Sequence, residues 1–390
     1  MNYEFPNIHD IDDVLWAIKD SPEFIVAEKD GYKVINYVVA TQDTFPPVRF
    51  DETVKDIVAA KIRRECRGLI FDLDGKLINR RYHKFFNVNE KNETQLDKID
   101  WSKPHVILEK LDGSMVTPCY VNGHIRWMTK MGITDTSMEA EAFVASRPEY
   151  VGFADNLLKQ GFTPIFEWCS NKNRIVLDYP EDRLVLTAIR ENETGKYVPH
   201  DFFKRNGWNI PVVGVFAQGM SHEALIDVVR QSEDCEGVVV RFDDGHMVKI
   251  KADWYVRIHK VKSLLGQERD VVSLILNNEL DDMLPVLPKE DVAKIEAFQH
   301  KLMEEIRLSA WTVYQTVIQN RDVMDRKEFA INYAPTFNPL LRSLVFRFWD
   351  KACLETLTYE AVVDIILKKC GNNASYAEAK EAFLGDIKYE

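Results

Sequence analysis

Glu236-Gly-Val-Val-Val-Arg-Phe-Asp-Asp-Gly-His-Met-Val-Lys-Ile-Lys251 reads as one β-hairpin. A β-branched run climbs to Phe242, Asp244-Gly245 supplies the positive φ of a tight turn, and an alternating strand returns. Lys249 and Lys251 are two apart, so their side chains share one face, roughly 6.5–7 Å apart along it. Ile250 points the other way, toward a core. Folding the hairpin back brings Glu236 close to both lysines across the ladder. A surface cross-strand ion pair is the bland alternative, since such pairs are common and worth little.

The same turn chemistry recurs upstream at Asp30-Gly31, Asp74-Gly75 and Asn122-Gly123. Their flanks alternate or run apolar, as in Tyr32 to Val39, so antiparallel hairpins are expected. Helical segments fall between them, including Ser137 to Ala145 and His222 to Arg230. After Lys262 the period changes. Ile295, Phe298, Leu302, Ile306, Val313 and Val317 recur at helical spacing. A further helix is expected over Tyr359 to Cys370, with Thr358 as N-cap and Gly371 past its end. The expected fold class is α+β: a domain of antiparallel sheets and helices at 1–262, then an all-helical C-terminal domain at 263–390.

A net charge of −12 is a poor global signature for a nucleic-acid binder. Phosphate recognition is local, however, and the densest basic run is Lys249, Lys251, Arg257, His259, Lys260 and Lys262. No apolar run approaches the roughly 20 residues of a membrane span, and the N-terminus lacks signal-peptide regions. Six cysteines with no CxxC pair point to reduced thiols in a cytoplasm.

Working outward from the hairpin, Lys110-Leu-Asp-Gly-Ser114 offers a lysine for the same cluster. A nucleophilic lysine must be neutral, yet its ordinary pKa is about 10.4. Partial burial and nearby cations such as Lys249 and Lys251 lower it, and a bound metal would add to this. Glu167, in Ile165-Phe-Glu-Trp168, is a carboxylate among bulky neighbours, costly to bury without a partner such as a ribose hydroxyl. Arg67, in Glu65-Cys-Arg-Gly68, could hold a phosphate with its planar fork. Lys84 stands beside Phe85 and Phe86, and Lys130 ends the hairpin that begins at Lys110. Lys130 alone reads more readily as a surface lysine, and the bland reading of Lys84 is a surface cation flanking core phenylalanines. Phe71-Asp-Leu-Asp-Gly75 imitates a haloacid-dehalogenase nucleophile loop, but Lys76 breaks that pattern and a turn is expected. A P-loop, a histidine metal spacing and a Gly-x-Ser-x-Gly motif are all absent from the sequence.

The ordered set is specific. Glu65-Cys-Arg-Gly68, Lys84-Phe-Phe-Asn87, Lys110-Leu-Asp-Gly-Ser114, Phe166-Glu-Trp168 with Asn173-Arg-Ile-Val-Leu177, Arg190 to Gly195, Glu236-Gly237 and Lys249 to Tyr255 follow in order. Together they resemble the ATP-dependent RNA ligases of bacteriophages, in particular the tRNA-repairing RNA ligase 1 family of covalent nucleotidyltransferases. The likeness spans roughly residues 20–260 by motif.

The resemblance implies that Lys110 attacks the α-phosphate of ATP, that AMP passes to an RNA 5′-phosphate, and that a 3′-hydroxyl then seals the strand. It implies a ribose contact for Glu167 and metal binding through water for Glu236, with Glu167 as a weaker metal candidate. It also implies α-phosphate binding by Lys249 and Lys251, early phosphate steps for Arg67 and Lys84, and an essential role for Lys130. Glu109 occupies the place where DNA ligases often read the adenine amino group. ATP and Mg2+, with Mn2+ as a substitute, are the implied cofactors. RNA ends, from cleaved tRNA by analogy, are the implied partner of a monomer in the cytoplasm of a bacterial host. DNA ligases and capping guanylyltransferases share these motifs but place an OB-type barrel after the last lysine pair, where helical periodicity stands here. A non-catalytic RNA-end-binding protein of the same fold would not need the full set of Lys110, Glu167, Glu236, Lys249 and Lys251.

Overall fold

A computed structural model describes residues 4–40, 43–48, 53–172, 174–204, 209–217, 219–280, 283–284, 287–350 and 355–389. The chain divides into two compact units, Met1–Val256 and Arg257–Glu390. The helix Asp253–Leu264 carries both that division and the position after residue 262 expected from sequence.

The first unit holds three sheets, antiparallel except at one edge. The first pairs Phe24–Lys29, Tyr32–Tyr37, Arg67–Phe71 and Leu77–Asn79 in chain order. Asp74-Gly75 turns between its last two strands, where Lys76 N donates to Asp72 Oδ1 at 2.8 Å. The second has the order Arg183–Glu191, Phe162–Cys169, Ser114–Val121, His124–Met128. The third has the order Val215–Ala217, His105–Lys110, Gly237–Phe242, Met247–Lys251, Phe86–Asn87, the last pair being parallel.

Each sheet buries one face. The helices Asp12–Ile18 and Val54–Glu65 cover the first through Val14, Ile18, Ile62 and Phe71. Asp135–Ala145 and Pro148–Lys159 cover the second through Ala140, Phe153 and Phe166. His222–Gln231 covers the third through Leu225, Val229, Val238 and Ile250. The opposite face of the first sheet packs on the second through Tyr32, Val34, Ile70, Cys119 and Met128, so the open faces belong to the second and third sheets.

The second unit is helical. Lys289–Arg321 is one helix of 33 residues whose buried stripe contains Ile295, Phe298, Leu302, Ile306, Val313 and Val317. One expectation fails locally. The helix thought to start after Thr358 spans Glu355–Lys369 instead. Thr358 is buried inside it, and its hydroxyl donates back to Glu355 O at 2.7 Å, a bond that competes with capping as a use for a threonine. Among the described residues no helix is long and apolar enough to cross a membrane.

Candidate active site

The free faces of the second and third sheets enclose a cleft of about 460 Å3. Register fixes what points into it. On the third sheet Gly237 stands opposite Lys110 and Val239 opposite Leu108. The same two residues stand opposite Lys251 and Lys249 on the other side. Leu108, Lys110, Val239, Arg241, Lys249 and Lys251 therefore share one face. Met115 and Glu167, paired on the second sheet, line the cleft from across it.

Two glycines let the backbones close in. A Cβ at Gly113 would collide with the carbonyl oxygen of Trp168, so only glycine lets the loop after Lys110 lie against the Glu167 strand. Gly237 has φ +137°, and a Cβ there would strike the carbonyl oxygen of Ile250. That approach sets Glu236 beside the lysine strand.

Asp112, to which sequence reasoning assigned no role, fixes the loop. It is 3% exposed. Its Oδ2 accepts from Val176 N at 2.8 Å and Leu177 N at 2.7 Å, and its Oδ1 accepts from Tyr255 OH at 2.7 Å. Its own N donates to Tyr179 OH at 2.9 Å. The motifs Lys110–Ser114, 173–177 and Lys249–Tyr255 are thus knotted at one carboxylate. Asn173, which opens the second of these, lies outside the described residues. Asp112→Asn turns one of the two acceptor oxygens into an NH2, which faces either the Val176 and Leu177 N–H groups or the Tyr255 hydroxyl. It should cost about 1–3 kcal/mol, the usual penalty for leaving buried polar groups unpaired, and lower melting temperature and catalysis together in a thermal scan and an activity assay. Unchanged stability would contradict the knot.

Glu236, 4% exposed, holds two lysines. Its Oε2 lies 2.7 Å from Lys110 Nζ and its Oε1 3.0 Å from Lys251 Nζ. Sequence reasoning placed Lys249 and Lys251 beside Glu236; the structure places Lys110 and Lys251 there. The pair fixes where the Lys110 amine stands in the cleft.

Lys249 lies apart, its Nζ 5.9 Å from the Phe85 ring centroid. Burial first, then Lys84, Arg67 and Lys110, lower its pKa to about 7. Glu167 moves the opposite way. Burial raises it to about 7, with Glu236 and Asp112 assisting and Lys110 and Arg67 opposing. Near neutrality it can therefore donate or accept a hydrogen bond, which suits a sugar hydroxyl.

Arg67, Lys84 and Lys130 gather at one end of the cleft around Tyr37, which sequence reasoning missed. Lys84 Nζ and Lys130 Nζ lie 5.2 and 5.0 Å from its ring. Burial would raise the Tyr37 pKa, but Arg67, Lys84 and Lys130 outweigh it and lower the value. Arg67 Nε is buried with no hydrogen-bond partner. Cations packed together at such cost suit an anion that would neutralise them.

Glu109 borders the cleft, but alternation turns its side chain away from the Lys110 face. Its carboxylate stands over Gly214, close enough to crowd a Cβ there at 2.8 Å. Asp112 is committed to its hydrogen bonds; Glu236, which already holds Lys110 and Lys251, and Glu167 are the carboxylates that act on Lys110. Among the described residues no group of three His, Cys, Asp or Glu side chains could hold a metal alone. Two hard oxygen donors fit Mg2+ of the kind shared with substrate phosphates and water.

Glu65 and Arg190, from two of the signature motifs, pair with each other. Glu65, 3% exposed, takes Arg190 in a bidentate pair at 2.8 and 2.8 Å and Arg80 Nε at 3.1 Å. Burial works against this carboxylate, yet Arg190 and then Arg80 hold its pKa at about 2. The triad locks the end of the helix before Arg67 to the second sheet.

A recessed lysine aimed by a carboxylate, with cations ranged along a two-sheet cleft, is the layout of a covalent nucleotidyltransferase domain. Residues 65–255, just under half of the chain, match the family model described as RNA ligase. A Thermovibrio ammonificans protein described as "Putative RNA ligase" is 31% identical over 257 residues, covering 63% of this chain and 66% of that one. RNA ligase 1 of bacteriophage TS2126 is 23% identical over 305 residues, covering 74% and 71%. A solved archaeal ATP-dependent RNA ligase aligns with a TM-score of 0.44 at 16% identity, covering 63% of this chain and 62% of its own. The chain thus spans about two thirds of the length of these proteins.

Proposed function

We propose that this chain is an ATP-dependent RNA ligase that joins 5′-phosphate and 3′-hydroxyl RNA ends through lysyl-AMP and adenylylated RNA. The observation that carries this reading is the Lys110–Glu236 pair at 2.7 Å, set in a cleft whose other lysines and Arg67 face the same space. Lys110 Nζ attacks the α-phosphorus of ATP and pyrophosphate departs. Lys249 and Lys251 neutralise the α-phosphate, Arg67, Lys84 and Lys130 hold the outgoing pyrophosphate, and Glu167 meets the ribose. In-line transfer needs chiefly positioning and charge neutralisation. A divalent ion, Mg2+ with Mn2+ as a substitute, would be held by Glu236 through water and by Glu167, and would supply further neutralisation of the triphosphate.

Helices, not a barrel, follow the last lysine pair, which favours RNA sealing over the DNA-ligase and capping arrangements. In this reading the helical domain selects the RNA, with a cleaved tRNA as the substrate, and the enzyme works as a cytoplasmic monomer. The test is sealing. A 5′-phosphorylated single-stranded RNA incubated with ATP and Mg2+ should circularise or join. Equal or better sealing of nicked duplex DNA would overturn the RNA assignment.

A further inference from the structure

A second cavity, about 450 Å3, lies directly behind the phosphate end of the cleft. Lys84, Phe85 and Met247 line both spaces. Its size falls within the range of small-ligand sites, roughly 300–1,000 Å3, and nothing in the chemistry so far uses it.

Its walls suit a nucleoside. His246 stacks on Phe242, with ring centroids 5.3 Å apart and an interplanar angle of 16°. Phe86 presents a ring with Arg64 5.3 Å from its centroid. Arg64 and Glu93 form a pair at 2.5 Å through Nη2 and Oε1. That pair leaves Arg64 Nε and Glu93 Oε2 buried with no hydrogen-bond partner. A donor and an acceptor beside aromatic faces is the chemistry that reads the edge of an unstacked base. Lys98 adds positive charge to the wall, where Lys103 is paired with Asp244 at 2.7 Å.

Reaction geometry says which nucleoside. In lysyl-AMP formation pyrophosphate leaves opposite Lys110 Nζ. In the next step an oxygen of the RNA 5′-phosphate attacks the same phosphorus, the P–N bond breaks, and the lysine nitrogen recovers a proton. In-line displacement requires that oxygen to arrive opposite the nitrogen, where pyrophosphate had been. The 5′-phosphate therefore lies among Arg67, Lys84 and Lys130, and its nucleoside must occupy the space next to them.

Building on the ligase reading, we propose that this second cavity seats the 5′-terminal nucleoside of the donor RNA. The test uses purified enzyme, preloaded with AMP, and two short 5′-phosphorylated RNAs, one normal and one lacking the 5′-terminal base. Wild type should transfer AMP to the normal RNA about tenfold more efficiently, in the range expected of one stacked base. His246→Ala and Glu93→Gln should lose most of that preference while forming lysyl-AMP from ATP within about twofold of wild type, because the ATP cleft lies beyond Lys84 and Phe85. Lys98→Ala, at an exposed side chain that folding does not need, should raise the KM for both RNAs severalfold. If all three variants adenylylate and keep wild-type preference and KM, the cavity is not the donor site. If lysyl-AMP formation falls in step with transfer, the cavity serves ATP and the proposal fails. If wild-type enzyme forms no lysyl-AMP at all, the ligase reading fails first and takes this one with it.

Discussion

Lys249→Met should leave the protein folded and lower the rate of lysyl-AMP formation by about 10²–10³-fold, the usual loss when one preorganised group facing transition-state charge is removed. The expectation rests on an imbalance of charge in the cleft. Burial, then Lys84, Arg67 and Lys110, hold Lys249 at about 7, far below the ordinary lysine value. A folded-state pKa below the unfolded one means that the unfolded chain binds more protons between about 7 and 10.4. Stability from this residue therefore rises with pH across that window, and the full cost is present below pH 7. The methionine variant should be no less stable than wild type at pH 6.5 while being catalytically crippled. A triphosphate beside Lys249 favours its charged form. ATP binding at pH 8 should then take up close to one proton, read by calorimetry in buffers of different ionisation enthalpy, and the variant should lose that uptake. Proton uptake that persists in Lys249→Met would assign the coupling elsewhere.

Glu65→Gln should be the most destabilising single change in the first unit, at about 3–5 kcal/mol, the usual cost of breaking a buried ion pair from one side. It would leave Arg80 and Arg190 as buried cations without their carboxylate partner. Arg80 would keep Asn192 O and Glu193 O at 3.0 Å each, and Arg190 would keep Gly195 O at 2.7 Å. At roughly 2–4 °C per kcal/mol for a domain of this size, the loss should be plain in a melting curve. The pH dependence has a definite sign. The folded pKa is lowered from 4.5 to about 2, so the stabilisation is present above 4.5 and fades as pH falls toward 2. The variant should show a flatter acid limb than wild type. Equal melting temperatures would mean that the triad does not bear on folding.

The readable part of the fold was the part written in local period. Four Asn-Gly or Asp-Gly turns set the hairpins, and alternation placed Lys249 and Lys251 on one face and Ile250 in the core. Lys110 could be placed by motif, but its register opposite Gly237 joins segments far apart in sequence. Its salt bridge to Glu236 was therefore beyond a strand-by-strand reading. The same distance hid the triad, because Glu65 and Arg190 look like motif residues until the fold brings them together. Asp112 was invisible for a different reason. Its partners are two backbone N–H groups and a tyrosine hydroxyl, which leave no pattern in sequence. Tyr37 reads as an ordinary strand aromatic, and only the convergence of Arg67, Lys84 and Lys130 gives it a role. Glu109, a neighbour of Lys110 in sequence, borders the cleft while its side chain stands over Gly214 on the other side of the strand.

The central claim is that Lys110 carries the nucleotide. The direct measurement is mass spectrometry of peptides from protein incubated with ATP and Mg2+, then denatured. The account predicts one AMP per chain, attached at Lys110 and absent from Lys110→Ala. AMP on another residue, or labelling that survives Lys110→Ala, would contradict it.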